Sequence, residues 1–133
     1  MKATDLMIGD WVCVRSNDGE DTHNFKIRTI SEIGVNSGSG FVGFDEDLEP
    51  IPLTEEILES NNFQSKEDPY SHRKFFFLGK NEYNLDVYFD NGTIILVEAD
   101  YEPTVYAYMC DCKYVHELQH LLKGLEIEKE III

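Results

Sequence analysis

Apolar and polar positions in the first third of the chain alternate in short runs, the period of strands rather than of helices. Trp11-Val12-Cys13-Val14-Arg15 follows the turn pair Gly9-Asp10 and stops at Ser16-Asn17-Asp18-Gly19, so it predicts a strand between two turns. Residues 25–33 predict a second, half-buried strand, with Phe25, Ile27 and Thr29 on one face and Lys26 and Arg28 on the other. The glycine-rich stretch 34–40 reads as a flexible tip. Residues 41–44 read as a short third strand ahead of the acidic run Asp45-Glu46-Asp47-Leu48-Glu49. Together these elements predict a small, strongly bent β unit of SH3-like type, an analogy of fold that carries no function by itself.

The pattern changes at Pro50-Ile51-Pro52-Leu53, an extended connector leading into a short helix. Thr54 is a good N-cap, Glu55 and Glu56 suit the positive end of the helix dipole, and Leu53 can staple onto Leu58. Asn61-Asn62 ends this helix, and 64–72 reads as a polar surface loop. Residues 74–78 predict a strand. In the next run Tyr83, Leu85, Val87 and Phe89 alternate with Asn84, Asp86 and Tyr88. Asn91-Gly92 then predicts a two-residue hairpin turn that sets Asp90 opposite Thr93, Phe89 opposite Ile94 and Val87 opposite Leu96. A further strand is expected over 104–109, then a helix over 113–122 closed by Gly124, and an end, 128–133, that forms an edge strand or a docked tail. The expected fold class is therefore α+β, a single domain over 1–133. Its β-rich part is 1–53; the remainder, 54–133, holds the short helix, an antiparallel meander and a C-terminal helix packed on the sheet through Leu118 and Leu122.

Composition narrows the setting. A chain of 133 residues, 42% hydrophobic and 12% aromatic, can bury a core without disulfides or metals. No run approaches the ~18 apolar residues that span a bilayer, and the start has no basic patch followed by an apolar stretch, so neither a membrane partner nor secretion is expected. The cysteines, Cys13, Cys110 and Cys112, are odd in number and form no Cys-x-x-Cys, which points to a reducing, cytoplasmic setting. A formal net charge of −15, from 26 acidic against 11 basic residues, repels phosphate backbones and speaks against direct nucleic-acid binding.

The most specific chemical pattern is His116-Glu117-Leu118-Gln119-His120. On a helix, imidazoles at i and i+4 can grip zinc while the glutamate acts as general base on the bound water. Several features oppose that use. A helical wheel puts Tyr114, Val115, Leu118, Leu121, Leu122 and Leu125 on one apolar stripe and His116 and His120 opposite, with Gln119 and Lys123, in the composition of a solvated face. Past His120 only Glu126, Glu128 and Glu130 could supply a third ligand, and Lys123 and Glu126 stand where the extended metzincin pattern needs glycine and histidine. Cys110 and Cys112 precede the histidines, but were the helix to reach back to Cys112 its sulfur would lie ~12 Å along the axis from His120. The acidic run 45–49 lacks the spacing of a calcium loop, and neither His23 nor His72 accompanies a nucleophile turn. Tyr106 and Tyr108 alternate onto one face of their strand and form a candidate protein-binding platform.

Three stretches carry a family resemblance: Asp5-Leu6-Met7-Ile8-Gly9-Asp10-Trp11-Val12, then Pro50-Ile51-Pro52-Leu53-Thr54-Glu55-Glu56-Ile57-Leu58, then Tyr114-Val115-His116-Glu117-Leu118-Gln119-His120-Leu121. In this order they resemble a family of short uncharacterised proteins from Bacteroides-like gut bacteria and their phages or mobile elements. In that family pattern the position of His120 is commonly asparagine, which would remove a zinc ligand. The resemblance implies no activity, cofactor or substrate.

The leading expectation is a non-enzymatic accessory protein, phage- or mobile-element-linked, that binds a protein partner and needs no cofactor. The rival is a zinc-dependent hydrolase with His116 and His120 as ligands and Glu117 as base. A third reading is an acidic decoy that imitates nucleic acid before a basic protein.

Overall fold

Residues 1–16, 21–38, 40, 42–80, 83–89, 93–99 and 105–133 are described by the computed structural model, the side chains of 42, 79, 80, 83, 84, 93–99 and 105–110 excepted. The chain divides into two compact units: residues 1–52, 114–124 and 133 form the first, and 53–113 with 125–132 form the second. Helix α1 (Glu55–Ser60) belongs to the second unit and helix α2 (Val115–Gly124) to the first. Helix α2, expected to pack on the meander through Leu118 and Leu122, instead belongs with the N-terminal strands; both leucines are buried.

Strands β1 (Trp11–Arg15), β2 (Thr22–Lys26), β3 (Thr29–Ile30), β4 (Gly34–Asn36), β5 (Val42–Phe44) and β6 (Leu48–Pro50) build the first unit. They form two antiparallel sheets, ordered β2-β1-β6 and β3-β4-β5. Alternation in β1 works as the sequence implies: Val12 and Val14 are buried while Trp11 and Cys13 are half-buried. Val12 and Val14 share one core with Ala3, Leu6, Phe25, Ile27, Val35 and Leu48, so both sheets contribute to it. Burying such side chains contributes roughly 1.5–3 kcal/mol each before entropy is counted.

The expected strand 25–33 breaks at residues 27 and 28, because its backbone changes partners there. Gly9 N–H donates to the Ile27 carbonyl and Ile27 N–H to the Asp10 carbonyl, both at 2.9 Å, but Arg28 N–H donates to the Asn36 carbonyl at 2.8 Å. One segment serving two sheets must bend between them, so Ile27 stays in the core while Thr29 is exposed. The expected flexible tip 34–40 also changes: its first residues are β4, with Gly34 and Val35 buried.

Five strands form the second unit's sheet in simple sequential order, β11-β10-β9-β8-β7. They are β7 (Gln64–Glu67), β8 (Lys74–Lys80), β9 (Tyr83–Phe89), β10 (Thr93–Ala99) and β11 (Val105–Asp111). The expected antiparallel meander is therefore present, with Phe76, Leu85 and Val87 fully buried. β7 takes the first four residues of the expected polar loop 64–72, and the rest lies outside any strand. All its side chains are exposed, so no apolar alternation announces it, yet backbone pairing with β8 runs from Gln64↔Phe77 to Glu67↔Lys74. The hairpin register also differs by one residue: Thr93 pairs with Phe89, Ile94 with Tyr88 and Ile95 with Val87. Three residues, 90–92, connect the paired ends and lie outside the described residues; three-residue connections carrying glycine last are a common alternative to the two-residue turn.

Helix α1 forms for the reasons the sequence supplies. Thr54 Oγ1 accepts the Ile57 N–H, and the helix closes in a Schellman arrangement on Asn62, whose φ is 64°. Phe63 N–H donates to the Leu58 carbonyl and Asn62 N–H to that of Glu59. The chain end is the docked tail among the two expected forms: Ile127 and Ile131 are buried, and Asn61 bonds both backbone groups of Ile132. Among the described residues no helix is long and apolar enough to cross a membrane.

Candidate functional site

The first unit's functional surface is organised around the turn that delivers the chain into β1. Asp10 N–H donates to the Met7 carbonyl at 3.1 Å, and Gly9 takes φ 98°, which suits the third position of a type II turn. The Asp10 carboxylate folds back inside this turn, its Oδ2 accepting the Met7 N–H at 2.8 Å. With 3% of its surface exposed, Asp10 needs those bonds, because a buried carboxylate without them is strongly disfavoured.

Helix α2 supplies the second partner. His120 Nε2 donates to the same Asp10 Oδ2 at 2.7 Å. One residue earlier on the helix, Gln119 Oε1 accepts the Trp11 N–H at 2.9 Å while its Nε2 donates to the Gly9 carbonyl at 3.0 Å. β6 pairs with β1 only from Val12 to Val14, so the ladder stops one residue short of Trp11. There the Gln119 amide, a donor and an acceptor at peptide-like spacing, takes the place of a strand neighbour.

Every polar residue of the zinc-like pentapeptide is therefore engaged in structure. Glu117 Oε2 accepts the N–H of Tyr114, the residue preceding the helix, at 3.1 Å, as the glutamate of a capping box does. His116 stacks on Tyr114 at 5.9 Å between ring centroids and meets His120 edge to face at 5.7 Å. Its Nδ1 is buried without a hydrogen-bond partner among the described residues. Burial pushes the His116 pKa below its ordinary value, helped by His120 and opposed by the charges of Asp10 and Glu117. The expectation of a solvated face is thus corrected: His116, Gln119 and His120 are half-buried, because the polar side of α2 lies against the Gly9-Asp10 turn. Among the described residues no group of three or more His, Cys, Asp or Glu is arranged to hold a metal ion. The helix also runs on through Gly124, and Glu126 takes the left-handed φ of 57° expected of the glycine.

A groove of about 570 Å³ opens on the same unit, lined by Trp11, Asn24, Phe25, Lys26, Arg28, Ser37 and Gly38. Trp11 lies directly opposite Lys26 in the β1–β2 ladder, which places both on one face. Arg28 is exposed, and its aliphatic stem lies over Gly38: a Cβ there would stand 3.1 Å from the arginine Cγ. Gly38 also has φ 76°, which favours glycine there, and its N–H donates to Asn36 Oδ1 at 2.6 Å. None of the described lining residues is acidic.

Tyr106 and Tyr108, the platform expected from the sequence, have side chains outside the described residues; their backbone is in β11, where the pairing with β10 shifts register between Val97 and Glu98. Asp10, Gln119 and Arg28 escaped the sequence reading. Asp10 looked like a turn former, Gln119 like a solvated residue and Arg28 like the outer face of a strand. Only the Gly9-Asp10 pair carried a usable signal, since aspartate closing a turn often bonds back to it. Comparison with known proteins finds no matching family model, no matching curated protein and no matching solved structure.

Proposed function

We propose that this protein is a non-enzymatic binding module that engages a protein partner through the first unit's groove. The observation that carries this reading is the placement of the chain's single tryptophan beside Lys26 and Arg28 in an open groove. Tryptophan and arginine are the residues that most often dominate binding energy at interfaces. A core shared by two three-stranded sheets supports reading the unit as SH3-like, although fold alone assigns no ligand. The use of Glu117 as a helix cap and of His120 as a partner of Asp10 supports a binding role over hydrolysis. The family resemblance adds the proposal that the partner belongs to a phage or mobile-element system.

The test is comparative capture from lysate with wild-type protein, Arg28→Glu and the Tyr106→Ala/Tyr108→Ala pair. A partner lost with Arg28→Glu and kept by the tyrosine variant supports the groove. The opposite pattern moves the binding face to β11 and overturns this reading. Metal held near one equivalent, with hydrolysis abolished by Glu117→Gln, would replace it by the hydrolase.

A further inference from the structure

Charge sets the groove apart from the chain as a whole. The chain carries 26 acidic and 11 basic residues, yet the described lining of the groove gathers Lys26 and Arg28 and includes no acidic residue. Another arginine of the first unit is handled differently: Arg15 on β1 pairs with Glu49 on β6. Arg28 has no carboxylate partner among the described residues. Its backbone N–H is bound to the Asn36 carbonyl, and its methylenes lie against Gly38. Its exposed guanidinium presents a planar fork that matches a carboxylate.

Resting on the reading of the groove as a protein-binding surface, we propose that its ligand is a short extended segment of a partner protein bearing aspartate or glutamate side chains. Arg28 takes a carboxylate through paired N–H donors, Lys26 adds a second cation two residues earlier on the same segment, and Trp11 covers the apolar part of the segment above Phe25. Short length matters. At physiological ionic strength charges beyond ~8 Å are screened, so a few carboxylates feel the groove more than the remaining surface. A nucleic acid presents phosphate continuously and meets the repulsion of the whole −15 chain.

Because Trp11 is the only tryptophan, its fluorescence reads the groove directly. The experiment titrates intact protein with a blocked hexaglutamate peptide, with hexalysine and with a short single-stranded oligothymidine. The expected result is a saturable change in Trp11 emission with hexaglutamate alone, weakened about tenfold in Arg28→Gln and only partly restored in Arg28→Lys. Circular dichroism of each variant checks that the fold is kept; Arg28 is exposed, so it should be. A response to oligothymidine but not to hexaglutamate assigns the groove to nucleic acid and overturns the proposal. Self-association that Arg28→Gln abolishes gives it to a second copy of the chain, with the same consequence. Silence toward hexaglutamate while Arg28→Glu still loses its captured partner ends this inference and leaves the binding-module reading standing; failure of both ends both.

Discussion

Each unit fixes a distant segment of its own chain through one side-chain amide. In the second unit Asn61, with 4% of its surface exposed, donates to the Ile132 carbonyl at 2.9 Å and accepts the Ile132 N–H at 2.8 Å, across 71 positions of sequence. It also donates to the Ile57 carbonyl, which locks its orientation. In the first unit Gln119 does the same for Gly9 and Trp11 across 110 and 108 positions, but from a half-buried position. The difference lies in the setting of the amide. Asn61 holds a tail whose buried anchors, Ile127 and Ile131, are of its own unit, and little water competes for its bonds. Gln119 extends a ladder that β6 leaves unfinished, and it shares its helix with His116 and with His120, which bonds the buried Asp10. The first clasp is dry and without titratable groups among its bonds. The second is wetter and lies beside two imidazoles.

Removing the dry clasp should have the larger effect. Asn61→Ala is expected to destabilise the second unit by about 2–3 kcal/mol, since a buried amide with three bonds is lost and its partners are stranded. Denaturant unfolding with hydrogen exchange at the Ile132 amide measures both parts; unchanged Ile132 protection would mean that the tail is held by Ile127 and Ile131 alone. Gln119→Ala should cost less, about 1 kcal/mol, because water can reach the freed Trp11 N–H and Gly9 carbonyl. Trp11 fluorescence should report it as a shift in the first unit's unfolding midpoint. An effect matching that of Asn61→Ala would show that exposure does not grade these clasps.

The smallest effect expected is pH dependence confined to the Gln119 side. Burial lowers the His116 pKa from 6.5, so the unfolded chain takes up the proton before the folded one does. The stability owed to the neutral ring is complete above the unfolded value and is lost as pH falls through the lowered folded value. Midpoints followed by Trp11 fluorescence from about pH 7.5 to about pH 5 should fall more steeply for wild type than for His116→Phe. Parallel profiles would remove His116 from the account.

Local patterning by itself determined the parts that depend on neighbours in sequence. The strand at 11–15, the capped helix after Thr54, its end at Asn61-Asn62 and the meander of the second half all follow from alternation, caps and turn residues, because those forces act within a few positions. Tertiary structure decided what required a distant partner. β7 exists through pairing with β8 and has no apolar face to reveal it. The hairpin register, one residue from the expected one, is carried by the pairing of β9 with β10. The polar side of α2 illustrates the limit most clearly. A helical wheel separates apolar from polar, but the same histidines and glutamine suit bulk water, a zinc ion or the open end of a β-ladder. The backbone groups of Gly9 and Trp11 and the carboxylate of Asp10, all more than a hundred positions away, decided which of the three they serve.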